Sequence, residues 1–469
     1  MAGSIFIQPP ALAELWRSRL AIGLASLLRL GLRAIGRGAT ALPGKAALCV
    51  YPRLLARLTA GRTVYLVTGT NGKTTTVRII CALLQDRGYR IITNPSGANL
   101  DSGLTATLLE HQAALRQKAE QPLALVFEID EAFFGKLAAE LNPTVSVITN
   151  FFRDQLDRFG ELQHTRDLIA KGLSASQGRI VLCADDSLCA SLGRGREGRT
   201  LYFGLATAAL QPQSADAIHE SAYCTFCGGR YEYDGMAYGH LGRFRCPSCG
   251  FARPEPDLTF LPGPQQTREL QLQFTWRGES EAARLPIPGL HNGYNAAAAV
   301  TALLAAGLPF QPAVAALSGA RAAFGRMERF PVGEREVCLI LVKNPVGMDR
   351  ALDFVAGAPD AGGVMMLLNA NDPDGRDVSW IWDVHFEHHL PGGRIGVSGE
   401  RCHDLALRLY YAGKQEDDLL VDPIFSGLFD RLLADCPAGR CLYILPNYTA
   451  MLALRADLSR RFQLNEFWR

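Results

Sequence analysis

The amino-acid sequence predicts an α/β protein with two α/β domains, the first of which carries a small inserted metal-binding module. Three observations predict this class. Short apolar runs alternate with segments of helical periodicity along most of the chain, a glycine-rich loop joins one apolar run to a helix, and two Cys-x-x-Cys pairs lie near the middle. The 469 residues are too many for one ordinary core, and the net charge of +2 carries no polyanion-binding signature.

Residues 1–60 are predicted to form a basic, helical segment. Between residues 1 and 62, Glu14 is the only acid, against nine Arg and Lys residues. This Leu-rich stretch suits an anionic membrane surface, and a helix packed on the body with solvated arginines explains it equally well. Its Leu-rich uncharged run, residues 20–28, is far below the roughly twenty residues that span a bilayer, and no secretory cleavage site follows. We therefore expect a cytoplasmic protein and leave contact with the inner face of the membrane open.

The stretch VTGTNGKTTT, residues 67–76, predicts a phosphate-binding loop. It departs from the common pattern by one glycine, because Val67 stands where that pattern begins with glycine. The apolar run before the loop predicts a buried strand, and the residues after it predict a helix. Glycines let backbone amides turn toward a phosphate chain, a lysine reaches the terminal phosphates, and a threonine hydroxyl can ligate magnesium. The candidate nucleotide-binding residues are Gly69, Thr70, Asn71, Gly72, Lys73, Thr74 and Thr75.

Further apolar runs at residues 123–129, 144–150 and 180–186 predict more strands of a parallel sheet. Polar residues stand at the ends of these runs, where ligands of such sheets bind: Glu128, Asp130, Asn150, Asp185 and Asp186. Taken together they are expected to face the phosphates of the loop. Taken singly, each acid could equally cap a helix.

Four cysteines predict a zinc ribbon within about residues 220–255. Cys224 and Cys227 form one Cys-x-x-Cys pair, Cys246 and Cys249 form the other, and glycines follow both pairs. Four thiolates close a tetrahedral coordination sphere, so the metal is expected to be structural. Unmetallated core thiols are the alternative.

A second run of predicted strands, at residues 337–342, 363–370, 394–399 and 441–447, indicates a C-terminal Rossmann-like α/β domain. The acid-rich loop NANDPDGRDVSWIWD, residues 369–383, follows the second of these strands. A solvated turn explains its composition, whereas tryptophans expected to be buried beside the acids favour a functional site.

Several motifs resemble those of the Mur ligase and folylpolyglutamate synthetase superfamily. They are GTNGKTTT in the loop, TNFFRDQLDRFGE at 149–161, HNGYNAAAA at 291–299, FGRMERF at 324–330 and VKNP at 342–345. The short N-terminal segment, the zinc ribbon and the C-terminal region are unlike the amino-acid-adding murein ligases. All three resemble the MurT family within that superfamily, as does the ALPGK segment at 41–45.

This resemblance implies the domain limits: residues 1–60 as the basic segment, 61–328 as the Mur ligase central domain with the inserted ribbon, and 329–469 as the MurT-type C-terminal domain. It also implies the residue roles. Lys73 would bind phosphates, Thr74 and Glu128 would hold magnesium, Asn292 would contact adenine, and Arg326 would neutralise charge. Asp154 and Asp157 lie in the 149–161 motif, where Gln155 replaces a family histidine. Lys171 stands where some relatives have a carbamylated lysine, although a solvated lysine is the commoner reading.

The resemblance implies an amide ligase that uses ATP, Mg²⁺ and a structural Zn²⁺ to amidate the α-carboxyl of D-glutamate in lipid II. Ammonia would come from a GatD-type glutamine amidotransferase subunit, since this sequence has no Gly-x-Cys-x-Gly nucleophile elbow. One acid of the 369–383 loop is expected to assist that partner across the interface or to hold the ammonia-receiving site in order, with Asp377 as first choice before Asp374 and Asp383. The alternatives are a folylpolyglutamate-type ligase and a zinc-ribbon ATPase that binds nucleic acid.

Overall fold

A computed structural model describes residues 12–34, 41–94, 98–116, 120–153, 162–212, 221–264, 266–321, 326–390 and 392–462. The chain divides into two compact units. The first comprises residues 1–68, 84–147 and 168–179, and the second comprises residues 69–83, 148–167 and 180–469. The predicted domain limits, which follow the order of the chain, stay predictions.

The first unit contains strands β1 (Thr63–Thr68), β2 (Arg90–Thr93), β3 (Leu123–Glu128) and β4 (Val145–Ile148), whose last residue belongs to the second unit. They lie in the order β4-β1-β3-β2, and β3 pairs in parallel with both β1 and β2. The predicted apolar runs form β1, β3 and β4. Almost all side chains of these strands are buried, as expected of a parallel sheet covered on both faces.

The helices of the first unit are Leu12–Ala34, Leu42–Val50, Leu54–Thr59, Asp101–Glu110, Gln112–Arg116 and Glu131–Leu141. Two further helices, Lys73–Asp86 and Leu162–Ala175, begin with residues of the second unit and end with residues of the first. Among the described helices, none is both long and apolar enough to cross a bilayer.

Five strands of the second unit form one group: β5 (Arg179–Cys183), β6 (Thr200–Leu205), β9 (Leu258–Pro262), β10 (Leu270–Trp276) and β11 (Glu279–Leu285). The first residue of β5, Arg179, belongs to the first unit. Their order is β11-β10-β9-β6-β5, with β5, β6 and β9 parallel and β10 antiparallel to both neighbours. The antiparallel end was not predicted. The Ala-rich helix Leu290–Ala305 buries nearly all of its residues, because small side chains allow close packing on every side.

The zinc-ribbon segment contains one antiparallel hairpin, β7 (Glu232–Tyr238) and β8 (Leu241–Arg245). Its cysteine and aromatic side chains share a small core with Ala190 and Tyr202 of the second unit: Cys224, Tyr231, Phe244 and Cys246, with Phe226, Tyr233 and Phe251 packed against them. The hairpin and the cysteine pairs therefore form one folded module.

The C-terminal part forms a six-stranded sheet of β12 (Arg326–Val332), β13 (Arg335–Ile340), β14 (Ala361–Leu367), β15 (Ile395–Ser398), β16 (Leu419–Val421) and β17 (Cys441–Pro446). The strands lie in the order β12-β13-β17-β14-β15-β16. All neighbours are parallel except β12 with β13. Alternate residues of β13, β14 and β17 enter two separate apolar cores, so the sheet is covered on both faces.

The remaining helices of the second unit are Ser187–Ser191, Phe310–Ala315, Pro345–Ala356, Phe386–His389, Cys402–Tyr411, Phe425–Asp435 and Tyr448–Phe462. Met327, in β12, has a φ of +63° at a register shift of the β12–β13 ladder. A side chain other than glycine is rare in this left-handed region, so Met327 of the FGRMERF motif is a point of backbone strain.

Candidate active site

The loop after β1 needs both of its glycines for steric reasons. Gly69 has a φ of +121° and Gly72 a φ of +83°, a region that side-chain-bearing residues rarely adopt. A Cβ atom at Gly69 would also overlap the Thr149 hydroxyl, and one at Gly72 would overlap the Asn295 side-chain oxygen. The loop is therefore closely packed by two other segments of the second unit.

Lys73 begins the helix that follows the loop, and its side chain folds back over the loop. Its ammonium group donates hydrogen bonds to the carbonyl oxygens of Gly69 at 2.7 Å and Thr70 at 3.3 Å, and the residue is buried. A helix N-terminus, two glycine turns and a buried ammonium together fit a chain of phosphates. The predicted role of these residues in binding phosphates stays a prediction.

Asparagine side chains fix the shape of the loop from outside. The Asn71 backbone amide donates to Asn150 Oδ1 at 2.9 Å, and Asn150 Nδ2 donates to the Asn71 carbonyl at 3.1 Å. Asn344 Nδ2 donates to Asn71 Oδ1 at 3.2 Å, while Asn344 Oδ1 caps the helix Pro345–Ala356 by accepting from the Gly347 amide at 2.8 Å. Asn344 was not among the predicted site residues, and its VKNP motif was the available signal.

The polar opening of helix Leu290–Ala305 also reaches the loop region. Asn295 Nδ2 donates to Asn292 Oδ1 at 3.1 Å, and Thr76 lies 3.4 Å from Asn295 Oδ1. Asn292 Nδ2 in turn contacts the Pro288 carbonyl at 2.6 Å and the Met327 sulfur at 3.8 Å. Both asparagines are buried, and their contacts connect the loop to Met327 of β12. The predicted contact of Asn292 with adenine stays a prediction.

Three of the acids at strand ends have structural partners, contrary to the expectation that they jointly face phosphates. Asp130 caps the helix Glu131–Leu141, and Asp186 caps Ser187–Ser191 by accepting from two backbone amides. Asp185 is fully buried and accepts from Arg253 at 2.6 Å and from the Tyr294 hydroxyl at 2.5 Å. Burial raises the pKa of Asp185 above its ordinary value, against the opposing effect of Arg253. Asp130 and Asp186 therefore cap helices, which was the alternative interpretation of these acids.

Glu128 and Lys171 belong to the first unit, and each is described there by itself. The Glu128 side chain is buried, and its backbone exchanges two hydrogen bonds with the Asn94 side chain, at 2.9 and 3.0 Å. Lys171 is exposed on its helix, as expected of a solvated lysine. Asp154, Gln155 and Asp157 lie outside the described residues, and so does the side chain of Arg326.

The four ribbon cysteines bring their sulfur atoms to within 4.8 Å of one another. Cys224 and Cys249 are 3.6 Å apart at sulfur, and Cys227 and Cys246 are 3.4 Å apart. A tetrahedral zinc site with bonds of about 2.3 Å requires sulfur atoms separated by about 3.8 Å. The side chains therefore fit a zinc ion.

The two cysteine pairs have the same backbone geometry. After each pair a glycine, Gly228 or Gly250, has a φ near +75° (72° and 78°) and donates its amide to the carbonyl of the first cysteine, at 2.8 and 3.0 Å. Burial raises the pKa of Cys224, but the Phe226 amide and the Tyr231 hydroxyl outweigh it and lower the pKa to about 7. Two turns of matched backbone geometry, one after each cysteine pair, are expected of a metal-binding ribbon.

The three candidate aspartates of the 369–383 loop differ in their surroundings. Asp374 is buried and accepts from the Thr449 amide at 2.8 Å, the Thr449 hydroxyl and the Asn371 amide at 3.2 Å. Asp383 is half exposed and pairs with Arg153 at 3.2 Å. Asp377 is exposed and accepts from the Ser379 amide at 2.8 Å. The Ser379 amide, followed by its hydroxyl, lowers the pKa of Asp377.

The expectation that both tryptophans of this loop are buried was wrong for Trp382, which is 50% exposed. Its ring lies 5.7 Å from that of Tyr411 and 5.5 Å from the guanidinium of Arg408. Leu407, Tyr410 and Tyr411 of the helix Cys402–Tyr411 are exposed as well. We call Trp382, Leu407, Tyr410 and Tyr411 the aromatic patch.

The fold and the loop define the class. A family model described as the Mur ligase middle domain matches residues 67–245, and one described as the MurT ligase C-terminal domain matches residues 341–451. Similar solved structures are a pseudomurein peptide ligase type C from Methanothermus fervidus (TM-score 0.65, 20% identity, 87% of this chain and 81% of that one) and MurF from Acinetobacter baumannii (0.64, 20%, 88% and 80%). These structures establish a Mur ligase fold.

Sequence relatives are more specific. "Lipid II isoglutaminyl synthase (glutamine-hydrolyzing) subunit MurT" of Streptococcus pneumoniae is 35% identical over 439 residues, covering 92% of this chain and 94% of that protein. The protein of the same name from Staphylococcus aureus strain COL is 32% identical over 451 residues, covering 95% and 99%. The chain belongs to the MurT family. The predicted family and the predicted α/β class with parallel sheets are thereby confirmed.

Proposed function

We propose that this chain is the ATP-dependent ligase subunit that converts the α-carboxyl of D-glutamate in the lipid II stem peptide to the amide of D-isoglutamine. The observation that carries the proposal is the glycine loop with its buried Lys73, held by Asn150 and Asn344, in a chain of the MurT family. The name of these relatives, lipid II isoglutaminyl synthase (glutamine-hydrolyzing), supplies the lipid II substrate and the dependence on glutamine.

The reaction has two steps, with ATP as a substrate. A carboxylate oxygen attacks the γ-phosphorus of ATP, the bond to the β,γ-bridging oxygen breaks, and ADP leaves. Ammonia nitrogen then attacks the acyl carbon of the resulting acyl phosphate, the bond to the phosphate oxygen breaks, and a proton is lost. Phosphoryl transfer needs positioning and charge neutralisation more than covalent catalysis. The buried ammonium of Lys73 and the N-terminus of the helix that Lys73 begins would supply both.

Magnesium, when bound, neutralises the charge that develops on the phosphates. The predicted roles of Thr74 and of Glu128 as its ligands, and of Arg326 as a further cation, stay proposals. We also propose that the ribbon cysteines bind one zinc ion. Four thiolates leave no open position for water, so this metal stabilises the module and takes no part in the reaction.

Ammonia is mostly protonated near neutral pH, so direct delivery from a glutaminase subunit of the GatD type fits this ligase. The relatives are named as a subunit, which supports the presence of a partner subunit. The aromatic patch is a candidate surface for it, because exposed aromatic side chains that lie close together are typical of interface hot spots. Asp377 lies in the same loop as Trp382 and is exposed and ionised, so it can orient a histidine of the partner. Asp374 is less suited, since its three hydrogen bonds hold its own loop.

Because lipid II is anchored in the membrane, we place the reaction at the inner membrane face. The test combines purified chain with ATP, magnesium, lipid II and ammonium chloride, and follows by mass spectrometry the exchange of one hydroxyl for an amino group. Amidation that requires both ATP and ammonium is expected in the wild-type chain and not in Lys73→Ala. ADP release without any change in lipid II would refute the proposed substrate, and ADP release that depends on folate would favour the folylpolyglutamate alternative.

A further inference from the structure

The first helix, Leu12–Ala34, packs small side chains inward and leaves five large apolar side chains exposed, while Ile22 packs partly buried against the inner core. Ser18, Ala21 and Ala25 are buried, and the two alanines belong to a core with Tyr51 and Leu54. A helix that merely covers a protein core does the reverse, because large apolar side chains gain most from burial.

The outward side chains form one continuous stripe, which we call the N-terminal apolar face. Its members are Trp16 (67% exposed), Leu20 (66%), Leu24 (39%), Leu27 (70%) and Leu30 (62%). At about 100° per residue they fall within an arc of about 120°. Single exposed leucines need no explanation, but five large apolar side chains in one row mark an interaction surface.

Charge decides among the candidate occupants of this face. Arg17 and Arg19 are exposed, and on the helical wheel they stand about 20° beyond the two edges of the arc. The nearest acid along the chain is Glu14, which lies 3.9 Å from Arg53. Apolar side chains flanked on both sides by arginines match the boundary between acyl chains and anionic headgroups, where tryptophan is also favoured. A second copy of the chain would bring arginines against arginines.

We propose that the N-terminal apolar face docks on the surface of an anionic lipid bilayer, with the helix in the plane of the membrane. This inference deepens the proposed function and rests on it, because a lipid-linked acceptor brings this chain to the membrane. The docked helix would hold the enzyme where its acceptor is anchored and reduce the search for lipid II from three dimensions to two.

The test is co-sedimentation of the purified full-length chain with vesicles of phosphatidylcholine alone and with vesicles containing about one-third phosphatidylglycerol. The wild-type chain is expected to sediment with the anionic vesicles and to be released as salt is raised. Leu20→Glu/Leu27→Glu is expected to weaken this binding by at least about tenfold, because two carboxylates would enter the apolar boundary. Ile424→Glu is the matched control, since Ile424 is 69% exposed on another surface.

A second variant tests the charge argument. Arg17→Gln/Arg19→Gln is expected to weaken binding to anionic vesicles by about fivefold per arginine, with no change on phosphatidylcholine. All substituted side chains are exposed, so thermal unfolding should match the wild type. Each variant is also assayed with a water-soluble stem-peptide acceptor and ammonium, where normal amidation is expected.

Vesicle binding retained by Leu20→Glu/Leu27→Glu would overturn the inference. So would a wild-type dimer that this variant dissociates, which would assign the face to a second copy, or loss of glutaminase capture by the variant, which would assign it to the partner. The proposed function fails separately, if the wild-type chain amidates neither lipid II nor the soluble acceptor.

Discussion

Substitution of Asp377 by Asn, compared with the same change at Asp374, separates a residue that serves the partner from one that holds the loop. Both changes remove one negative charge and keep the shape of the side chain. The expected results differ because Asp377 is exposed and accepts from Ser379, whereas Asp374 is buried with three donors around it.

The magnitudes follow from these contacts. At Asp374, an amide group would face the Asn371 amide and the Thr449 hydroxyl, so two hydrogen bonds to a charged acceptor are lost, at about 1.5 kcal/mol or more each. About 3 kcal/mol corresponds to a fall of about 10 °C in Tm for a domain of this size. At Asp377, the Asn side-chain oxygen can accept the same Ser379 bond, and the change in stability should stay below about 0.5 kcal/mol.

The assay measures lipid II amidation with the glutaminase subunit and glutamine, and in parallel with high ammonium alone. Asp377→Asn is expected to lower the glutamine-driven rate by about 10²- to 10⁴-fold, as loss of an imidazole-orienting acid does, and to leave the ammonium-driven rate unchanged. Asp374→Asn is expected to lower Tm and both rates together. A normal glutamine-driven rate in Asp377→Asn would refute the reasoning, and loss of both rates with an unchanged Tm would place Asp377 in the ligase site instead.

Three further predictions concern the loop and the ribbon. Lys73→Ala should abolish amidation with either nitrogen source, because its ammonium group serves the phosphates. The variant should still fold, with a lower Tm because the hydrogen bonds to the Gly69 and Thr70 carbonyls are lost. Residual ATP-dependent product in a discontinuous assay would contradict this. Gly72→Ala should lower stability by about 2 kcal/mol and remove ATP binding, because its φ is +83° and its Cβ would displace Asn295; normal nucleotide affinity by calorimetry would count against it. Elemental analysis should find one zinc per chain, and Cys224→Ser should lose the metal and melt earlier; zinc-free wild-type protein of normal stability would exclude a structural zinc.

The sequence predicted those elements whose pattern is local. β1, β13 and β17 were predicted because a buried parallel strand is a continuous apolar run. β12 was not, since RMERFPV mixes charges and proline with apolar residues, as an edge strand can. β16 has three residues, which is too short for any periodicity to show.

The site shows the same division. Gly69, Gly72 and Lys73 were predicted because loop chemistry depends on residues close together in sequence. The contact of Asn344 with Asn71 joins positions 273 residues apart, so no spacing could indicate it. For Asp130 and Asp186, strand ends and helix caps coincide in sequence, and the structure was needed to show that capping prevails. Exposure of Trp382 likewise depends on tertiary packing.

The asparagine contacts around the loop have a consequence for kinetics. Asn71, Asn150 and Asn344 carry no ionisable group, so the hydrogen bonds that shape the loop do not titrate. Below the pKa of ammonium, the supply of free ammonia rises tenfold per pH unit, and the ammonium-driven rate should follow that slope. The loop's scaffold therefore adds no inflection of its own, and the pH profile of this enzyme becomes a direct readout of how its nitrogen nucleophile loses a proton.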